Sequence, residues 1–162
     1  MTEIAVLRNV VSPAPRAIWQ AVFDRDVEAV PSQSPQWTDA LCRSTHRRDR
    51  SRLYTFDDGV QMVLPLVGYR RVPAAADLAG SMPWGWGIGG LVTTSPVTAE
   101  HVRAVVEDLT THAPYVRLNI RPNPRNVDAW RAAMSVGAHT VARMAHAIDL
   151  HGGFDAVGMA GL

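Results

Sequence analysis

The chain has 162 residues, 47% apolar and 19% charged, which is enough for one sizeable hydrophobic core and too short for two. Its basic and acidic side chains nearly balance, at a net charge of +1, so nothing draws it generally to nucleic acid or an anionic membrane surface. Every basic side chain other than histidine is arginine, which excludes Schiff-base chemistry, a lysine general base and a phosphate-loop lysine.

Residues 4–11 are β-branched and apolar with little polar interruption, and predict a strand covered on both faces. Ser12 and Pro13 read as the cap and first residue of a helix carrying Ile18, Trp19, Val22 and Phe23 at helical spacing. A second helix starts at Ser34 and Pro35, continues through Trp37, Ala40 and Leu41, and ends near Ser44. The arginine-rich stretch from Arg43 to Arg52 then reads as a solvated connection, with contact to phosphate or an acidic ligand as its alternative. Residues 52–56 and 60–67 flank Asp57, Asp58 and Gly59, where Asp-Gly supplies the positive φ of a tight hairpin.

Residues 70–90, rich in Pro, Gly and Ala, predict a long irregular connection, and residues 91–93 a short strand. Thr98 caps a helix with Val102, Val105, Val106 and Leu109 on one stripe. From Tyr115 to Arg121 the pattern alternates, with Val116, Leu118 and Ile120 facing a core and Tyr115, Arg117, Asn119 and Arg121 facing either water or a cleft. In a cleft, Arg117 and Arg121 offer fork-shaped donors for carboxylate or phosphate, and Asn119 a neutral orienting group. Val127, Trp130 and Met134 mark a short helix that Gly137 ends, residues 140–150 return to strand character, and residues 151–162 form a Gly-rich tail after a domain spanning 1–150.

Gly85, Gly87 and Gly90 match GxGxxG, but no strand precedes them and no helix start follows, so they read as a loop of close backbone approach. Trp84 and Trp86, alternating with these glycines, build either core or a ligand-facing wall. The histidines show no metal-ligand spacing, and His146 reads as a core or edge residue. Cys42 stands alone, which excludes an internal disulfide and points to a reducing compartment. No serine sits in a nucleophile-elbow pentapeptide, and no catalytic residue is assigned. With no signal-peptide core and no long apolar run, the expected location is the cytoplasm.

The order strand, helix, helix, hairpin, strand, helix, strand, helix, strand resembles the GNAT acyltransferases. Residues 33–37 (QSPQW), 54–59 (YTFDDG), 64–66 (LPL), 81–90 (SMPWGWGIGG), 121–124 (RPNP), 149–150 (DL) and 152–154 (GGF) resemble the first half of the Fem-type members, which include peptidoglycan bridge-forming aminoacyl transferases. The resemblance implies an α/β fold, a mixed and mostly antiparallel sheet with helices on both faces and its final strand missing. It implies transfer of an acyl or aminoacyl group to an amine of a small molecule or cell-wall precursor, as the first half of a two-half enzyme. The alternative is a catalytically silent GNAT-like domain that binds a ligand or partner. The acceptor region is expected beside Gln33, Trp37, Trp84 and Trp86.

Family donors are acyl-CoA or aminoacyl-tRNA. An acyl-CoA site needs an amide-rich loop before the central helix, where this chain has residues 94–98 (TSPVT), so no cofactor is expected to bind this chain itself. Leu41 and Cys42 occupy the neighbourhood where bridge-forming members often carry a lysine. No metal, DNA or membrane span is expected, while an open final sheet edge predicts self-association or pairing with a second half.

Overall fold

The computed structural model describes residues 5–73, 76–83, 85–112, 115–134 and 138–144. In chain order its elements are Leu7–Val11 (β1), Arg16–Phe23 (α1), Pro35–Ser44 (α2), Arg47–Asp49 (β2), Arg52–Phe56 (β3), Gln61–Leu64 (β4), Val67–Tyr69 (β5), Leu78–Gly80 (β6), Val92–Thr93 (β7), Ala99–Thr111 (α3), Arg117–Asn119 (β8) and Val127–Ala133 (α4). The class is mixed α/β, and among the described residues the strands form two four-stranded sheets, ordered β1-β3-β4-β7 and β2-β5-β6-β8.

One long hairpin joins the sheets. Gly59, at φ 83°, turns the chain, and the pairs Thr55↔Gln61, Arg52↔Leu64, Asp49↔Val67 and Arg47↔Tyr69 keep a single register along both arms. Pro65 lacks the N–H that the ladder needs, so the regular pairing breaks there. The Arg50 N–H still donates to the Leu66 carbonyl at 2.8 Å and carries the register across the break.

Both faces of the first sheet are covered. Tyr54, Phe56, Met62 and Leu64 pack with Val102, Val105 and Leu109 of α3 and Trp130 of α4. Leu53, Val63 and Val92 point the other way, toward Trp19 and Val22 of α1. Central strands sandwiched between helices bury both side-chain sets, which is why β3 and β4 read as nearly continuous apolar runs.

Several boundaries differ from the sequence reading. β1 is an edge strand with Arg8 and Asn9 exposed, rather than a strand covered on both faces. α1 starts at Arg16 after an extended Pro15, because Ala14 precedes a proline and is biased away from helical backbone. The arginine run is not a free connection: residues 47–49 pair with β5 as β2. Within the stretch read as irregular, β6 pairs with β5 and, in parallel, with β8. α2 keeps its expected bounds, and its Ser34 cap accepts the Trp37 N–H at 3.2 Å. Residues 138–144 carry no strand, and the rest of the expected final strand, His146, Gly137 and the tail lie outside the described residues.

Candidate functional site: an arginine-lined cleft

Strand alternation sorts the arginine run. Arg48 and Arg50 point to one face of the second sheet, where Asp77 is fully buried. Arg50 binds it with Nε at 3.1 Å and Nη2 at 2.9 Å, while the other carboxylate oxygen accepts the Tyr69 N–H at 2.8 Å. Gly68 leaves room for this group, since a Cβ there would stand 2.2 Å from a carboxylate oxygen. Arg47 points to the opposite face, lies over the Tyr69 ring at 3.8 Å from its centroid, and donates to the phenol oxygen at 3.0 Å.

That opposite face floors an open cleft of about 230 Å³. Arg117, Asn119 and Arg121, the polar face foreseen on the alternating strand, line it together with Arg47, Tyr69 and Leu78. Arg117 and Asn119 are exposed where they line the cleft, whereas Tyr115, expected on the same face, packs against the core and Val116, expected in the core, is exposed, because the regular strand spans only Arg117–Asn119. Arg121 is held by its backbone N–H, which donates to Ser81 Oγ at 2.8 Å, and by Nη1, which reaches the Pro83 carbonyl at 3.3 Å. None of the described residues lining the cleft is an aspartate, a glutamate, a histidine or a cysteine, while three are arginines. Such a lining suits an anion better than a cation.

The remaining expected site residues gather at a second place, the contact between residues 31–37 and the glycine-rich loop. Gln33 is fully buried, and its amide nitrogen donates to the carbonyls of Gly89, Gly90 and Leu91 at 3.0, 3.3 and 3.4 Å. Its amide oxygen accepts the Val30 N–H at 3.0 Å, so the side chain acts as a staple. Ser32 Oγ adds a bond to the Ile88 carbonyl at 2.7 Å. Trp37 donates from Nε1 to the Trp86 carbonyl at 2.9 Å, and the two rings meet edge to face at 6.5 Å. Trp84 lies outside the described residues.

The loop connects the two places. Its Gly89 N–H donates to the Arg121 carbonyl at 3.0 Å, and Gly90, at φ 87°, comes so near the chain at Pro122 that a Cβ would stand 2.8 Å from Pro122 Cα. Close backbone approach is thus the role of the GxGxxG match, and no helix starts behind it to receive a pyrophosphate. Comparison with protein-family models, with curated proteins and with solved structures finds no match for this chain.

The titratable groups elsewhere are arranged for structure. His101 is buried, its N–H bonds to Thr98 Oγ1 at 3.3 Å in the cap of α3, its ring meets Phe56 edge to face, and burial lowers its pKa. Burial likewise pushes the half-buried Cys42 thiol up, with the nearby Asp49 charge adding to it. Tyr54, buried beside Asp108 and donating to it at 3.1 Å, is raised far out of the titrating range by that burial. Among the described residues no cluster fits a metal ion, and no helix is long and apolar enough to cross a membrane.

Tyr69 and Leu78 are cleft residues that sequence reasoning missed, and Arg47 was foreseen only as part of an arginine run with anion contact as its alternative, not as a neighbour of Arg117. A signal for Arg47 was present: Arg47 and Arg48 must face opposite ways once residues 47–49 are a strand. Nothing local marked those residues as a strand, because their partner lies beyond the hairpin turn.

Proposed function

We propose that this chain is a GNAT-like domain of the Fem type that takes part in transferring an acyl or aminoacyl group to an amine, and that its arginine cleft seats the carboxylate or phosphate of one reactant. The observation that carries the reading is the convergence of Arg117, Asn119 and Arg121 with Arg47 on one cleft. The element order through α4, a strand, two helices, a long hairpin, then two strands, a helix, a strand and a helix, follows the expected order apart from the added strand β6.

In such a transfer the amine nitrogen bonds to the acyl carbon, the bond from that carbon to sulfur or oxygen breaks, and the proton lost by nitrogen passes to the leaving group or solvent. The arginines contribute by fixing the reactant's anion, which orients the reacting atoms. Their positive field also disfavours the ammonium form of a nearby amine and leaves its lone pair available. Among the described residues the cleft lining supplies no carboxylate or imidazole base, so in this reading the proton passes to the reactants, to water or to a second half. That same lining favours the second reading, a ligand-binding domain without chemistry of its own.

The test is mass spectrometry of amine acceptors after incubation with acyl-CoA or aminoacyl-tRNA, with and without a second GNAT-like half. A new amide whose yield falls with Arg117→Gln supports the transferase. Saturable anion binding without product under any of these conditions supports the binding domain.

A further inference from the structure

The cleft is lined by three arginines, and the sheet register sets two of them apart. Register across the second sheet places four residues in one row: Arg47 opposite Tyr69, Tyr69 opposite Leu78 by the antiparallel pairing that sets Val67 against Gly80, and Leu78 beside Arg117. All four line the cleft. The row therefore has a guanidinium at each end and an uncharged aromatic and aliphatic middle. Its end residues sit three strand spacings apart, about 14 Å between backbones, a gap that two long side chains leaning inward leave open for a small molecule.

The next row has the opposite sign at its Arg47 end: Asp49 stands opposite Val67 and is ion-paired with Arg16 at 2.9 Å. Val67, Gly80 and Asn119, the members that line the cleft, carry no charge, and Gly80 leaves the floor low, since a Cβ there would come within 3.3 Å of the Asn119 carbonyl. Arg117 is exposed and has no hydrogen-bond or ion-pair partner among the described residues. Arg47 is held by Tyr69, so its position is set before any ligand arrives. One carboxylate engages one guanidinium fork, which leaves the guanidinium at the far end of the row uncompensated.

We infer that the ligand of this cleft is a small molecule with two negative charges flanking an uncharged segment, bridging Arg117 at one end and Arg47 at the other, with Tyr69 and Leu78 under the segment. This rests on the proposal that the cleft is the reactant site and specifies which reactants fit it. It also assigns Arg47 and Tyr69 to recognition.

The test is calorimetric titration of the full chain at fixed ionic strength with succinate, glutarate and adipate, with butyrate as the monoanion and phenyl phosphate as a dianion charged at one end only. The expected result is that one dicarboxylate binds at least tenfold more tightly than butyrate and than phenyl phosphate. Arg47→Gln and Arg117→Gln, their fold checked by circular dichroism, are each expected to lower that preference to near unity, while binding of butyrate changes by less than threefold in one of them. Phenyl phosphate binding as tightly as the best dicarboxylate overturns the two-ended ligand but keeps the anion site. Equal binding of butyrate and all dianions does the same. No binding of any probe, or binding that neither substitution alters, overturns the cleft as the reactant site as well.

Discussion

His101 carries an acid sensitivity that belongs to its position in the cap of α3. Burial holds its folded-state pKa below the ordinary 6.5. The unfolded chain therefore takes up this proton at higher pH than the folded one, and stability that is present above about pH 6.5 is lost as the pH falls through and below that value. His101→Gln keeps a side chain able to reach back to the Thr98 N–H, which the His101 ring now accepts at 3.3 Å, and removes the titration. Thermal melts between pH 5 and 8 should show a smaller acid-side fall in Tm for this variant. Gln33 tests a different kind of burial. Its truncation to alanine leaves carbonyls of Gly89 and Gly90 without their buried donor, at a cost of about 3 kcal/mol. Urea unfolding measures this, and Gln33→Glu is expected to cost more, since a carboxylate cannot donate to those carbonyls.

The glycine-rich loop and the second sheet carry the site at the level of elements. The loop interrupts the strand path between β6 and β7, leaves the sheets, and is fastened to residues 32–37 on one side and to Arg121 and Pro122 on the other. Two glycines separate the effects of conformation and contact. Gly85, at φ 81°, has open space around a built Cβ, so alanine there pays only the left-handed backbone penalty of about 1 kcal/mol. Gly90 has a similar φ, but its Cβ meets the backbone at Pro122 and Asn123, so Gly90→Ala should destabilise clearly more than Gly85→Ala in the same denaturation experiment. The larger loss should also weaken anion binding, because displacing Pro122 displaces its neighbour Arg121.

At the scale of the whole molecule, the two sheets differ in what covers them. The first is packed by α1 on one face and by α3 and α4 on the other, while the second leaves its Arg47–Arg117 face open as a cleft. Amide protons of β3 and β4 are therefore expected to exchange slowest, at the rate of global unfolding, and those of β6 and β8 faster. Hydrogen exchange followed by mass spectrometry reads this directly. Uniform protection of β3, β4, β6 and β8 would contradict the difference in cover. A dianion seated on the open face should slow exchange in β6 and β8 and leave β3 and β4 little changed.

Local chemistry in the sequence was sufficient wherever a few neighbouring residues decide the outcome. The Ser34–Pro35 start of α2, the Thr98 cap of α3, the Asp58–Gly59 turn and the alternation of Arg117, Asn119 and Arg121 all depend on contacts or conformations within a few positions. The late start of α1 was also legible in principle, through Pro15, but the earlier Ser12–Pro13 pair gave a competing signal. Other features were set by partners far away in the chain. Arg47–Asp49 becomes a strand because residues 67–69 pair with it, and Leu78–Gly80 because it lies between those residues and β8. Gln33 reads as a polar candidate in sequence and becomes a buried staple only because the loop's carbonyls arrive above it. The sequence by itself determined which residue types were available, arginines without lysine and a single cysteine, along with most helix starts and the central hairpin. Tertiary structure alone decided that Arg47 and Arg117 stand at opposite ends of one row, because sheet register is fixed by non-local pairing and by burial of the opposite face.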